Sequence, residues 1–105
     1  MQRIAFTFEL KPGADPVEYR RRHDEIWPEM VETLRAAGIR NYDIYLAERR
    51  LFATLEVEDI SRMARVLGSS DVNRRWSEMM EPLIDIDPDP AIGFPRLLPL
   101  MFHMD

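Results

Sequence analysis

The chain has 105 residues, 46% of them apolar, with a net charge of −5 and no cysteine. That length is one domain, and the acidic balance argues against nucleic acid or an anionic membrane as partner. Without cysteine there are no disulfides and no thiolate chemistry. The start of the chain carries no leader-like apolar core and no run approaches membrane-spanning length, so a soluble cytoplasmic protein is the expectation.

Arg3 to Leu10 alternates, with Ile4, Phe6, Phe8 and Leu10 on one side, as a half-buried strand requires. Lys11-Pro12-Gly13 breaks it, and Asp15-Pro16 supplies a cap and first-turn proline for a helix. In that helix Val17, Tyr19, His23, Ile26, Trp27, Met30, Val31 and Leu34 recur at steps of three and four. Pro28 cannot bond the Asp24 carbonyl, so the helix is expected to kink or restart there. Gly38 ends it.

Ile39 to Leu46 and Leu51 to Val57 read as an antiparallel hairpin around a polar turn at Ala47 to Arg50. Tyr42, Ile44 and Leu46 share one face of the first of these strands. A short helix follows from Ile60 to about Leu67, then Ser69-Ser70-Asp71 caps a second one running to about Met80. Its inward stripe includes Val72, Trp76, Met79 and Met80. Asp87 to Pro95 is a proline-punctuated loop, and the alternation of Leu100, Phe102 and Met104 predicts a last strand.

The order strand, helix, strand, strand, helices, strand is the split βαβ arrangement of ferredoxin-like α+β folds, an antiparallel sheet with helices on one face. Both faces of the hairpin carry apolar residues, so the second face is expected to be covered by another copy. The expected assembly is a homodimer of the dimeric α/β-barrel type.

Little of the sequence can hold a cofactor. His23 and His103 lie in different elements without metal-ligand spacing, and the four glycines form no phosphate loop. There is no Gly-x-Ser-x-Gly nucleophile turn. What remains is Tyr19 and His23, one turn apart on one helical face, with Tyr42 and Trp76. A histidine on such a face is either a core residue with satisfied nitrogens or an acid–base group facing a pocket. If Tyr42 faces the helices, these four side chains line one cavity. An imidazole, phenolic hydroxyls and an indole suit a neutral polyol such as a sugar.

YRRRHDEIWPEM at Tyr19 to Met30, NYDIYL at Asn41 to Leu46, LFATLEVED at Leu51 to Asp59, DVNRRWSEMM at Asp71 to Met80 and a terminal MFHMD resemble the L-rhamnose mutarotase family in order and over nearly the whole length. The resemblance implies a sugar isomerase that needs no metal or redox cofactor. It puts the family's proton-donating histidine on His23 and its sugar-contacting tyrosines on Tyr19 and Tyr42. The family's tryptophan pair falls on Trp76 and Ser77, so one indole is replaced by a hydroxyl. Two more departures are a short hairpin turn and Asp87-Pro88-Asp89-Pro90 in place of an Asn-Pro-Asp-Asn type segment. The expected substrate is therefore L-rhamnose or a related 6-deoxy sugar.

A free imidazole titrates near 6.5, so it lends and recovers a proton near neutrality. Asp24, Asp43 and His103 are the candidates for a complementary base. Two rival readings use the same scaffold: a non-catalytic module for a small ligand, and a cofactor-free oxygenase. Neither requires the ordered Tyr-x-x-x-His, Tyr and Trp set.

Overall fold

Alternation in the first strand decides which side of the sheet is covered. In the computed structural model, which describes residues 1–105, β1 (Gln2–Leu10) buries Ile4, Phe6, Phe8 and Leu10. It is followed by α1 (Pro16–Asp24), α2 (Pro28–Ala36), β2 (Ile39–Ala47), β3 (Arg50–Val57), α3 (Ile60–Gly68), α4 (Asp71–Met80) and β4 (Ile84–Asp85). The four strands pair in the order β2-β3-β1-β4, every pair antiparallel. This is the expected ferredoxin-like α+β layout. Leu51, Ala53, Leu55 and Val57 of β3 lie in register with the buried side of β1 and face the helices. Met30, Met63, Trp76 and Met80 close the core from the helical side. Each apolar side chain fully buried in this way contributes roughly 1.5–3 kcal/mol.

The helix boundaries follow from local chemistry. Asp15 accepts a hydrogen bond from the Val17 N–H at 2.9 Å, and Asp59 accepts from Ser61 and Arg62. Ser70 Oγ accepts from the Asn73 N–H at 3.0 Å. Pro28 divides the first helical run as expected: α1 stops at Asp24, and α2 restarts with Pro28 in its first turn. Val17 departs from the expected stripe, being 73% exposed. The inward face of α1 is therefore narrow, consisting of Tyr19 and His23 flanked by Glu18 and Arg22.

A bulge between Arg40 and Asp43 sets the direction of Tyr42. Ile39, opposite Val57, and Ile44, opposite Ala53, both face the helices although their numbers differ in parity. Asn41 absorbs the extra residue at φ +49°, a conformation asparagine tolerates better than most residues. Its side chain points to the opposite side, where Nδ2 donates to Glu56 at 2.8 Å. Tyr42 is left on the helical face.

The last strand differs from expectation. Leu100 to Met104 forms no strand; the fourth place in the sheet belongs to Ile84 and Asp85, paired with Leu10 and Glu9. The tail reaches β1 only through the Leu98 N–H, which donates to the Ala5 carbonyl at 2.8 Å. Pro99 follows, has no N–H to continue a ladder, and the remaining residues stay exposed, Phe102 at 80%.

The side of the sheet away from the helices carries Thr7, Phe52 and Thr54, bordered by the Arg3–Glu56 and Glu9–Arg50 ion pairs. Phe52 there is 38% exposed. Tyr45, paired with Phe52, shares this face and is also exposed.

Candidate active site

α1 and α4 bring two aromatic rings onto His23, and a third packs behind them. The Tyr19 ring stacks on the imidazole with centroids 4.5 Å apart and planes at 29°. Trp76, buried on α4, meets the same imidazole edge to face at 5.4 Å and 88°. Trp27 in turn packs against Trp76 at 5.2 Å and 86°, with Arg75 lying 5.8 Å over its outer face. An extended backbone at Trp27, immediately before Pro28, carries that ring back toward α4. The proline restart thus shapes the site.

Arg22 fixes the distance between the two helices that hold these rings. Its Nη1 donates to the Met79 carbonyl of α4 at 2.6 Å, and its Nε donates to Glu18 at 2.9 Å. Hydrogen bonds from Arg21 and Arg22 hold the Glu18 carboxyl down to about 2. The arginine run is therefore a solvated face only in part: Arg22 is half-buried and ties α1 to α4.

The protonation of His23 follows from its partners. Nδ1 lies 3.1 Å from the Tyr19 carbonyl oxygen, an obligate acceptor, so Nδ1 carries the hydrogen and Nε2 the lone pair. Burial pushes the imidazole pKa below its ordinary 6.5, opposed by that carbonyl and by the Asp24 charge. At neutral pH the ring is a base. Burial also raises the Tyr19 and Tyr42 phenols well above their usual range, and Tyr42 adds to the shift at Tyr19. Both remain protonated.

Tyr19 is buried and Tyr42 half-buried, yet neither hydroxyl bonds to any protein atom, and neither does His23 Nε2. No sealed side-chain nitrogen or oxygen in the chain lacks a partner. These three groups therefore reach accessible space, where a ligand or water satisfies them. A histidine serving only as core filling would have both nitrogens paired. Two shallow grooves, one bordered by Thr7 and Pro95 to Pro99 and the other by Leu67 to Arg74, contain none of these side chains.

Of the residues expected in the site, Tyr19, His23, Tyr42 and Trp76 gather on the helical side of the sheet. Ser77 does not join them; it is exposed on the outer side of α4. Among the candidate bases, Asp43 lies opposite Thr54 on the other side of the sheet, and Asp24 is exposed beside Arg20. His103 sits in the tail, 2.9 Å from Asp105. The structure adds Trp27, Arg22 and Phe94. Phe94 stacks on Phe6 at 4.9 Å and 19° and meets Tyr42 edge-on at 6.4 Å. An aromatic between Gly93 and Pro95 in a polar loop was the signal for it. No group of three or more metal-ligating side chains is present, and no helix is long and apolar enough to cross a membrane.

A family model described as L-rhamnose mutarotase matches residues 3–104. An L-rhamnose mutarotase of Burkholderia ambifaria is 45% identical over 104 residues, covering 97% of this chain and 98% of its own. One from Listeria monocytogenes is 40% identical over 91 residues, covering 85% of this chain and 86% of its own. The crystal structure of an L-rhamnose mutarotase from Formosa agariphila superposes with a TM-score of 0.80 at 27% identity over the full length of both chains. On the strength of the family match and these relatives, the chain belongs to the L-rhamnose mutarotase family.

Proposed function

We propose that the chain is an isomerase interconverting the α and β anomers of L-rhamnose, with His23 as the proton-transfer residue. The observation carrying this reading is the unpartnered Nε2 of a neutral His23 beside two unpartnered tyrosine hydroxyls, walled by Trp76. Nε2 takes the proton of the anomeric hydroxyl as the oxygen's electron pair forms the C1 carbonyl and the bond from C1 to the ring oxygen breaks. The imidazolium then gives that proton to the ring oxygen, leaving the open aldehyde. Rotation about the C1–C2 bond and the reverse steps close the ring on its other face. No net proton is consumed, so one imidazole suffices and the missing second base is accounted for. Tyr19 and Tyr42, held neutral, hydrogen-bond the sugar hydroxyls, and the indole of Trp76 covers an apolar C–H face.

The test is exchange of magnetisation between the two anomers of L-rhamnose. The protein should accelerate it, and an exchange rate equal to that of buffer alone rejects the assignment.

The direction of the His23 shift predicts the pH profile. Because Nε2 must be unprotonated to begin, kcat/KM should be level above neutrality and fall in acid, with a midpoint below 6.5. Stability follows the same sign. The unfolded chain binds the proton more readily than the folded one, so the contribution of His23 is complete above about 6.5 and is lost as pH falls through the lower folded value. An acid limb centred above 6.5 would contradict both.

We further propose a cytoplasmic homodimer joined through the sheet face opposite the helices, a reading supported by half-exposed Phe52 there and by the absence of cysteine. Sedimentation should give twice the chain mass of 12.4 kDa, and Phe52→Glu should shift it toward the monomer. A monomeric unmodified protein at micromolar concentration removes this reading.

A further inference from the structure

The loop after the last helix is a constructed turn rather than a slack connection. Pro88 and Pro95 form an antiparallel bridge. Between them the Asp89 N–H donates to the Phe94 carbonyl at 2.8 Å, and the Gly93 N–H donates to the Asp89 carbonyl at 2.8 Å. The Asp89 side chain accepts from the Ala91 N–H at 2.9 Å, and Gly93 takes φ +80°, which a side chain would strain. What this turn delivers is one ring. Phe94 stacks on Phe6 and stands edge-on to Tyr42, and Phe6 reaches Tyr42 at 6.5 Å across the intervening strand. Ala53, which stands opposite Phe6 on that strand, is small and buried.

The Tyr42 ring, whose hydroxyl is unpartnered, thus meets half-buried Phe94, which brings no hydrogen-bonding atom and is backed by fully buried Phe6. We propose that Phe94 is a specificity residue that favours a methyl group at C6 of the sugar over a hydroxymethyl group. This rests on the mutarotase reading above. A sugar hydroxyl held by Tyr42 presents a neighbouring substituent to Phe94. A methyl there replaces water against the ring at a gain, whereas a hydroxymethyl loses water and finds no partner. An apolar pocket discriminates against an added hydroxyl by up to about a hundredfold.

The experiment compares kcat/KM for anomer exchange of L-rhamnose with that of L-mannose, its 6-hydroxy counterpart. The unmodified protein should prefer L-rhamnose by about ten- to a hundredfold. Phe94→Ser should lower that ratio by about tenfold, while Phe94→Leu, which stays apolar, should keep it within about threefold. The ratio does not depend on the folded fraction, so partial unfolding cannot imitate the result. A Phe94→Ser ratio equal to the unmodified one, or no preference in the unmodified protein, overturns the proposal. Should Phe94→Ser not fold, 13C-labelled phenylalanine in the unmodified protein gives the decision. A ring-to-methyl NOE with L-rhamnose, lost in Phe94→Leu, supports the contact, and its absence overturns it. If L-rhamnose is not turned over at all, the functional reading fails, and the role of Phe94 with it.

Discussion

Replacing His23 with glutamine is expected to slow catalysed anomer exchange by about a hundred- to ten-thousandfold, the usual worth of a positioned acid–base group. Glutamine keeps a polar side chain of similar reach but cannot take the proton from the anomeric hydroxyl at neutral pH. Loss of the imidazole also removes the stack on Tyr19 and the edge contact with Trp76, each worth about 0.5–1.5 kcal/mol. A domain of this size has roughly 5–15 kcal/mol of stability in total. The variant should therefore stay folded while its rate collapses, and that separation identifies a chemical role. Tyr19→Phe and Tyr42→Phe should be milder. Each loses one neutral hydrogen bond, about 0.5–1.5 kcal/mol, or about two- to twelvefold in kcat/KM. Saturation transfer between the anomers measures all three against the uncatalysed background. A His23→Gln rate within threefold of the unmodified protein would end the assignment.

The fold was legible in the sequence wherever one residue's neighbours settled its state. Alternation in Arg3 to Leu10, the Asp15-Pro16 start and the Pro28 break each act within a few residues, and each appears where expected. Long-range geometry was less legible. Alternation also predicts a strand at Leu100 to Met104, but pairing depends on the edge available to it, and Pro99 breaks the ladder after one bond. The same division runs through the site. Tyr19 and His23 were readable because helical spacing places them together, and Tyr42 because its apolar neighbours fix its face. The bulge at Asn41, which makes that face the helical one, left no clear mark in the sequence. Ser77 was expected in the site because the resemblance places the family's tryptophan pair on Trp76 and Ser77, yet successive helix residues point about 100° apart, and only Trp76 turns inward. Phe94 depends on a turn closed by Asp89 and Gly93, a contact whose consequence is visible only in three dimensions.

Phe6→Ala is expected to have the largest effect on stability and to show that core and site are one structure. Phe6 is 1% exposed at the centre of the sheet, with rings of Phe8, Tyr42 and Phe94 packed around it at 6.0, 6.5 and 4.9 Å. Truncation of a buried phenylalanine costs about 3–5 kcal/mol because it removes apolar contact and leaves a cavity that neighbours fill only in part. Collapse is poorly supported here: directly across the strand pair stands Ala53, too small to move into the space. For a chain of this length the loss corresponds to a melting temperature lower by about 15 °C or more. Phe102→Ala, the same truncation at a position 80% exposed, should cost less than about 0.5 kcal/mol. The functional consequence follows from the same contacts. Without Phe6, Phe94 loses the ring it stacks on and Tyr42 loses one of its two aromatic supports, so the folded fraction should bind L-rhamnose more weakly as well as being scarcer. Urea melts give the stability, and KM, which is independent of the amount of active protein, gives the second effect. A Phe6→Ala protein destabilised by no more than Phe102→Ala, or one with an unchanged KM, would mean that the sheet does not hold in place the side chains proposed to bind the sugar.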